Sequence, residues 1–167
     1  MSIKISIKNS LNQKSVKNHV FFTNKNFKIN DLRKLPISKF SDFINQSLSS
    51  NELGEKNFLS LDINASQKVI LIKIKDSQSP LDIEKIGAEF YVYLKSNLHL
   101  KTTFYEQNIS NTFPKNRFFF DQFVQGLQLK SYEFNKYISK SKEKKFDIEV
   151  FNKNKNFQFN RNKKYRS

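Results

Sequence analysis

The chain contains no cysteine and no tryptophan, and its 167 residues include only three glycines, three prolines and two histidines. Without cysteine there can be no disulfide, no thiolate zinc site and no cysteine nucleophile. That composition fits a reducing compartment, so a cytoplasmic location is expected. The glycines stand at 54, 87 and 126. Neither G-x-x-x-x-G-K-[ST] nor G-x-G-x-x-G occurs, so a glycine-built phosphate cradle is not expected. No serine lies in G-x-S-x-G, which removes a nucleophile elbow. Long apolar runs are missing too, so no transmembrane helix and no membrane partner are expected. The opening MSIKISIKNS alternates Ile with Lys and Ser and has no apolar stretch of the secretory kind.

Acidic residues are scarce, 15 against 30 Lys and Arg, which leaves a net charge of +15. One reading is a polyanion partner such as DNA. The other is compositional drift, because Lys, Asn, Phe and Ile share A/T-rich codons. Only four arginines occur, Arg33, Arg117, Arg161 and Arg166. A reader of phosphates or bases would favour the bidentate guanidinium, so drift is the stronger of the two.

The apolar content, with 18 phenylalanines, is enough for one core in a domain of ordinary size. Ile3, Ile5 and Ile7 alternate with Lys4, Ser6 and Lys8, a half-buried strand. A second strand is expected over Asn18–Thr23, then loop to Pro36. Ser38 is placed to cap a helix over Lys39–Ser49, with Phe40, Phe43, Ile44 and Leu48 facing a sheet. A strand through Phe58, Leu59, Leu61 and Ile63 follows. The continuous Val69-Ile70-Leu71-Ile72 predicts a strand covered on both faces, Lys68 to Lys75. Ser79-Pro80-Leu81-Asp82 opens a helix to about Asn97, with Ile83, Ile86, Phe90 and Leu94 on one stripe and Gly87-Ala88 allowing close packing on the sheet. Leu98–Tyr105 reads as a strand, Glu106–Lys115 as a loop, and Asn116–Tyr137 as a long helix carrying Phe120, Phe123, Val124, Leu127 and Phe134. Phe146, Ile148, Val150 and Phe151 form a last strand. The expected fold is α/β, a three-layer sandwich on a mixed sheet. Residues 1–151 form the domain and 152–167 a basic, frayed tail.

Chemistry is hard to find. His19 and His99 both fall in expected strands, each without a second histidine or carboxylate at metal-ligand spacing. Asp82 and Glu84 suit the start of a helix. Asp31, Asp62 and Asp76 stand at strand or loop ends without a visible partner. Phe118-Phe119-Phe120 with Phe123, beside Lys115 and Arg117, imitates a stacking platform for single-stranded nucleic acid. The same spacing continues into Leu127, which favours a helix face covering the sheet. The catalytic, cofactor-binding and metal-site residues are therefore read as none.

Val124–Tyr137, VQGLQLKSYEFNKY, resembles a helix near the end of the N-terminal domain of leucyl (cytosol) aminopeptidases. Gly126, Leu129, Tyr132, Phe134, Asn135 and Tyr137 match that signature, and Lys140, Lys142, Lys144 and Lys145 resemble its basic tail. Val69–Asp76, Ser79–Asp82 and the helix with Gly87 and Ala88 occupy the places of the family's VLLVGLG strand, capped helix start and GGA-type helix. Lys73 and Lys75 replace the strand-end glycines, which weakens the parallel with ADP-ribose-binding macro domains. The resemblance implies a macro-domain-like fold and a non-catalytic assembly or regulatory domain. Its partners would be a catalytic aminopeptidase domain or further copies of itself, as in the family's hexamer. The family's two divalent metals, Mn or Zn, and its NTDAEGR motif belong to a C-terminal domain. That motif does not occur here, so no cofactor is expected in this chain. A basic nucleic-acid-binding module on the same fold is the alternative.

Overall fold

The computed structural model describes residues 2–29, 38–50, 55–75, 78–97, 99, 101–135 and 145–152. Six strands form one sheet: β1 (Ser2–Lys8), β2 (Asn18–Thr23), β3 (Phe58–Asp62), β4 (Lys68–Lys73), β5 (Lys101–Tyr105) and β6 (Lys145–Phe151). Their spatial order is β1-β6-β5-β2-β4-β3. All neighbours run parallel except β3, which pairs antiparallel with β4 through Phe58↔Ile72 to Asp62↔Lys68. The sheet is thus mixed, with β2 and β5 in its middle.

Alternation along the strands sends two sets of side chains to opposite faces. Val20, Phe22, Ile70, Ile72, Phe104, Phe146, Ile148 and Val150 meet α2 (Pro80–Asn97) and α4 (Phe119–Asn135) in the larger core. Phe21, Val69, Leu71, Leu61 and Tyr105 point the other way, into a smaller core with Phe27 and with Ile44 of α1 (Ser41–Ser50). Val69, Ile70, Leu71 and Ile72 are all fully buried, as their continuous apolar run requires. Phe22 is the hub of the larger core. The rings of Phe119 and Phe123 meet it edge-on at 5.0 and 5.1 Å, an arrangement favoured by the ring quadrupoles.

Local chemistry explains the helix boundaries. At α2, the Ser79 amide donates to Asp82 Oδ2 at 3.1 Å, and the Asp82 amide donates to Ser79 Oγ at 3.2 Å. This reciprocal cap satisfies two otherwise orphaned donors beside Pro80. The hydrogen bonds from Ser79 hold the Asp82 carboxyl below its usual range. The expected helix opens as a 3-10 turn, Ser38–Phe40, from which α1 continues. Phe43 of α1 stays 40% exposed, unlike its expected place against the sheet.

Four expected spans change. Glu106–Thr112 is a helix, α3, where a loop was expected. Its Asn and Ser are poor helix formers, and burial of Asn108 and Ile109 holds the turn in place. The long helix starts at Phe119, after turns through Pro114–Phe118. β4 ends at Lys73 and β5 begins at Lys101, so His99 lies outside the strand assigned to it. Asn152, assigned to the frayed tail, is buried, and its amide donates to the Lys8 carbonyl at 2.9 Å. Residues 51–54, Asp31, Asp76, Tyr137, residues 140–144 and those from 153 on lie outside the described residues.

Gly87 and Gly126 do not serve contact with the sheet. They bring α2 and α4 together backbone to backbone. A Cβ on Gly87 would stand 1.9 Å from the Phe123 carbonyl oxygen, and one on Gly126 would stand 1.8 Å from the Glu84 carbonyl oxygen. Glu84 facing 126 while Gly87 faces 123 makes the pair antiparallel. Only glycine fits such an approach, so at both sites closeness outweighs the helix propensity of alanine. In an open helix interior, Gly→Ala gains about 1 kcal/mol. Here Gly126→Ala is expected to cost about 2–3 kcal/mol, through helix separation and strain. Urea unfolding measures this, and a stabilised G126A would contradict the contact.

Candidate functional site

Open α/β sheets place ligands at the carboxyl ends of strands whose following connections leave in opposite directions. In this sheet that point lies between β2 and β5. The chain leaves β2 toward α1 on one face, and leaves β5 through α3 toward α4 on the other.

At this point the chain bonds to itself. β2 and β5 pair through His19↔Thr103 and Val20↔Phe104. Beyond that the chain turns into α3, and Phe22 would lose its partner on that side. The Asn108 side chain replaces it. Its Oδ1 accepts from the Phe22 amide at 2.8 Å, and its Nδ2 donates to the Phe22 carbonyl at 3.1 Å. A primary amide carries the acceptor and donor that a strand would have offered. Asn108 is fully buried.

The exit of β2 is equally constrained. Asn24 Oδ1 accepts from the amides of Asn26 and Lys28 at 2.9 and 3.0 Å, folding a tight turn. Phe27 lies inside this turn with φ of 58°, a left-handed conformation unusual for a bulky residue. Its ring is buried in the smaller core, and burial of the ring offsets the backbone cost. Lys73 Nζ lies 5.4 Å from the centre of that ring. Lys73 therefore packs over an aromatic face.

One buried polar group lies beneath the smaller core. His19 is fully buried, and its Nδ1 lies 2.5 Å from Tyr105 Oη. Tyr105 stacks on Phe21 at 4.9 Å and 8°. The other ring nitrogen, Nε2, is 3.5 Å from Gln67 Nε2. Gln67 is oriented by two bonds: Nε2 donates to the Val16 carbonyl at 2.8 Å, and Oε1 accepts from Asn64 Nδ2 at 2.9 Å. His19 Nε2 therefore faces an N–H donor and must be the bare nitrogen. The ring proton sits on Nδ1 and is donated to Tyr105. Protonating Nε2 would set two donors against each other. Burial, with Lys39 adding charge repulsion, lowers the His19 pKa to about 4. Burial likewise raises the Tyr105 hydroxyl.

The remaining candidate residues do not converge. His99 packs beside Tyr93, with ring centroids 5.8 Å apart, and burial lowers its pKa. Asp62, expected to lack a partner, pairs with Lys68 at 3.6 Å on the surface. Phe119, Phe120 and Phe123 are core residues, so the stacking platform does not exist as a surface. Phe118 alone of the four remains exposed. Leu129 and Tyr132 of the late signature point outward, and Gly126 makes the helix contact. Among the described residues, no three His, Cys, Asp or Glu side chains are grouped to hold a metal. No helix among the described residues is long and apolar enough to cross a membrane. Sequence reasoning missed Asn108 and the His19–Tyr105 pair, because strand order alone brings their distant partners together.

The His19 account has a pH signature. Its folded pKa lies below the ordinary 6.5, so as pH falls the unfolded chain takes up the proton first. The His19 contribution is flat above pH 6.5. Between pH 6.5 and about 4 folding should lose on the order of 3 kcal/mol, levelling below. Denaturant unfolding of the wild type and His19→Gln across this range measures it. Equal slopes for the two proteins would contradict it.

No family model matches the chain, and no curated protein matches it. Among solved structures, it is similar to a mutant form of tomato leucine aminopeptidase, with TM-score 0.58 and 16% identity. That likeness covers 92% of this chain and 33% of the aminopeptidase chain. It is also similar to the macrodomain of Thermus aquaticus DarG, with TM-score 0.49 and 10% identity over 90% of this chain and 99% of that one. The chain thus spans about a third of the aminopeptidase's length, and the likeness is one of fold: an α/β sandwich on a mixed six-stranded sheet.

Proposed function

We propose that this chain is a non-catalytic domain of the leucyl aminopeptidase N-terminal type, serving assembly or regulation of a metallopeptidase that removes N-terminal residues from peptides. The observation that carries the reading is the asymmetry of the fold likeness: nearly all of this chain against a third of an aminopeptidase. The late-helix signature supports it, because Gly126 has a physical role in closing α4 onto α2. The bonding of the Asn108 side chain to Phe22 at this point supports a scaffold over a ligand reader. On this reading, water activation by two metals belongs to a partner catalytic domain. The purified chain with Leu-p-nitroanilide and Mn²⁺ should give no turnover above a buffer blank. Metal-dependent hydrolysis that co-purifies with the chain would contradict the reading.

One observation favours a second reading, a polyanion-binding module. The charge is segregated: α2 and α4 together carry five acids against three lysines, net −2, which leaves +17 on the rest of the chain. Lys4, Lys8, Lys14, Lys17, Lys25, Lys28, Lys56, Lys101 and Lys145 are exposed outside those helices. Binding of this kind releases counterions, so affinity for DNA would fall steeply with salt. A gel shift at low and high salt decides it, and no shift even at low salt removes the reading.

A further inference from the structure

We propose that His19 is a proton-operated latch on the smaller core: its protonation turns the Gln67 amide over and releases the chain at Val16 together with the turn at Asn64–Gln67, while the larger core stays closed. This movement is independent of the aminopeptidase reading.

The latch follows from donors and acceptors. Gln67 Nε2 donates to the Val16 carbonyl, and Gln67 Oε1 accepts from Asn64 Nδ2. The same Nε2 faces His19 Nε2 at 3.5 Å. Neutral His19 suits this arrangement, because its facing nitrogen is bare. Cationic His19 carries N–H on both ring nitrogens and needs an acceptor at each. Tyr105 Oη serves Nδ1. At Nε2 the nearby side chain is Gln67. Turning its amide over brings Oε1 to the ring. The same half-turn takes the donor from Val16 and sets an NH₂ group against that of Asn64. Protonation thus removes one clash at the expense of two hydrogen bonds.

Each lost bond holds a piece of cover. Val16 is buried near the end of the crossing from β1 to β2, and Leu11 of the same crossing packs on the smaller core. Asn64 heads the turn between β3 and β4. Its Oδ1 accepts from the Ser66 amide at 2.9 Å, and Ile63, just before it, packs on the smaller core. The larger core lies on the opposite face of the sheet and is built of rings and aliphatic side chains, so it meets no new donor.

The surroundings of the ring offer the proton no counter-charge. Tyr105 comes from β5, and burial keeps its hydroxyl protonated. Lys39, in the 3-10 turn before α1, repels a second cation. Glu149 of β6 is level with Thr103, itself level with His19, but Lys101 takes it at 3.7 Å. Asp42 on α1 and Lys14 in the crossing are exposed. Hydrogen bonds alone must therefore accommodate the charge, and burial with Lys39 puts the titration at about pH 4.

Amide and imidazole NMR on the full chain, from pH 6.5 down to about pH 3, tests the latch. The His19 ring, the Gln67 side-chain amide and the backbone amides of Val16, Asn64 and Ser66 should shift with one midpoint at about pH 4. Phe123, Val124 and Leu127 should keep their shifts. Gln67→Glu gives the cationic ring an acceptor of opposite charge and should raise the His19 midpoint by about one pH unit or more. His19→Gln should abolish the common transition. Circular dichroism at neutral pH reports the folding of both variants, and the wild-type titration decides alone if either fails to fold. Amides of α4 that move at the same midpoint overturn the proposal, since acid then unfolds the chain as a whole. Val16 and Asn64 amides that ignore the His19 titration, or a folded Q67E with an unmoved midpoint, overturn it as well.

Discussion

The approach of α2 to α4 at Gly87 and Gly126 is the constraint on which the rest of the larger core depends. With helix backbones in contact, both helices sit low enough on the sheet for Phe90 and Phe123 to meet, 5.6 Å apart, above Phe104. Push the helices apart and Phe22 loses the edge-on rings of Phe119 and Phe123. Three glycines in 167 residues leave little backbone latitude elsewhere, and two of the three are spent on this one crossing. Close packing makes such a site unforgiving, because a methyl group has nowhere to go.

The middle of the sheet is held on its other side by polar groups. Asn108 extends the hydrogen bonding of β2 past the end of β5, and His19 with Tyr105 and Gln67 ties β2 to β5 and to the turn before β4. Each is a buried polar group whose partners are protein groups, which is how such groups become affordable. At a place where this kind of sheet offers room for a ligand, the chain spends its hydrogen bonds on itself.

Much of the architecture was legible in residue order. The alternation of Ile3, Ile5 and Ile7, the continuous Val69–Ile72 and the Ser79–Asp82 cap each encode local physics, and each stands where expected. α3 was illegible because its residues disfavour a helix, and the turn is held by contacts to Phe22, far away in sequence. Gly87 was correctly read as a close-packing residue, but its mate was taken for the sheet; helix spacing locates a face without naming what covers it. The pairing of His19 with Tyr105 needed the strand order, which the chain reveals only when folded.

The fold is similar to one third of an aminopeptidase chain, and one helix crossing holds its larger core together. Native-state hydrogen exchange tests that crossing most directly. Amides at Phe123 and Leu127 in α4 and at Ile70 and Leu71 in β4 should open only with global unfolding, at the same free energy as denaturant gives. Exchange in α4 at a clearly lower free energy than in β4 would mean that the helix pair detaches on its own, and would contradict the account.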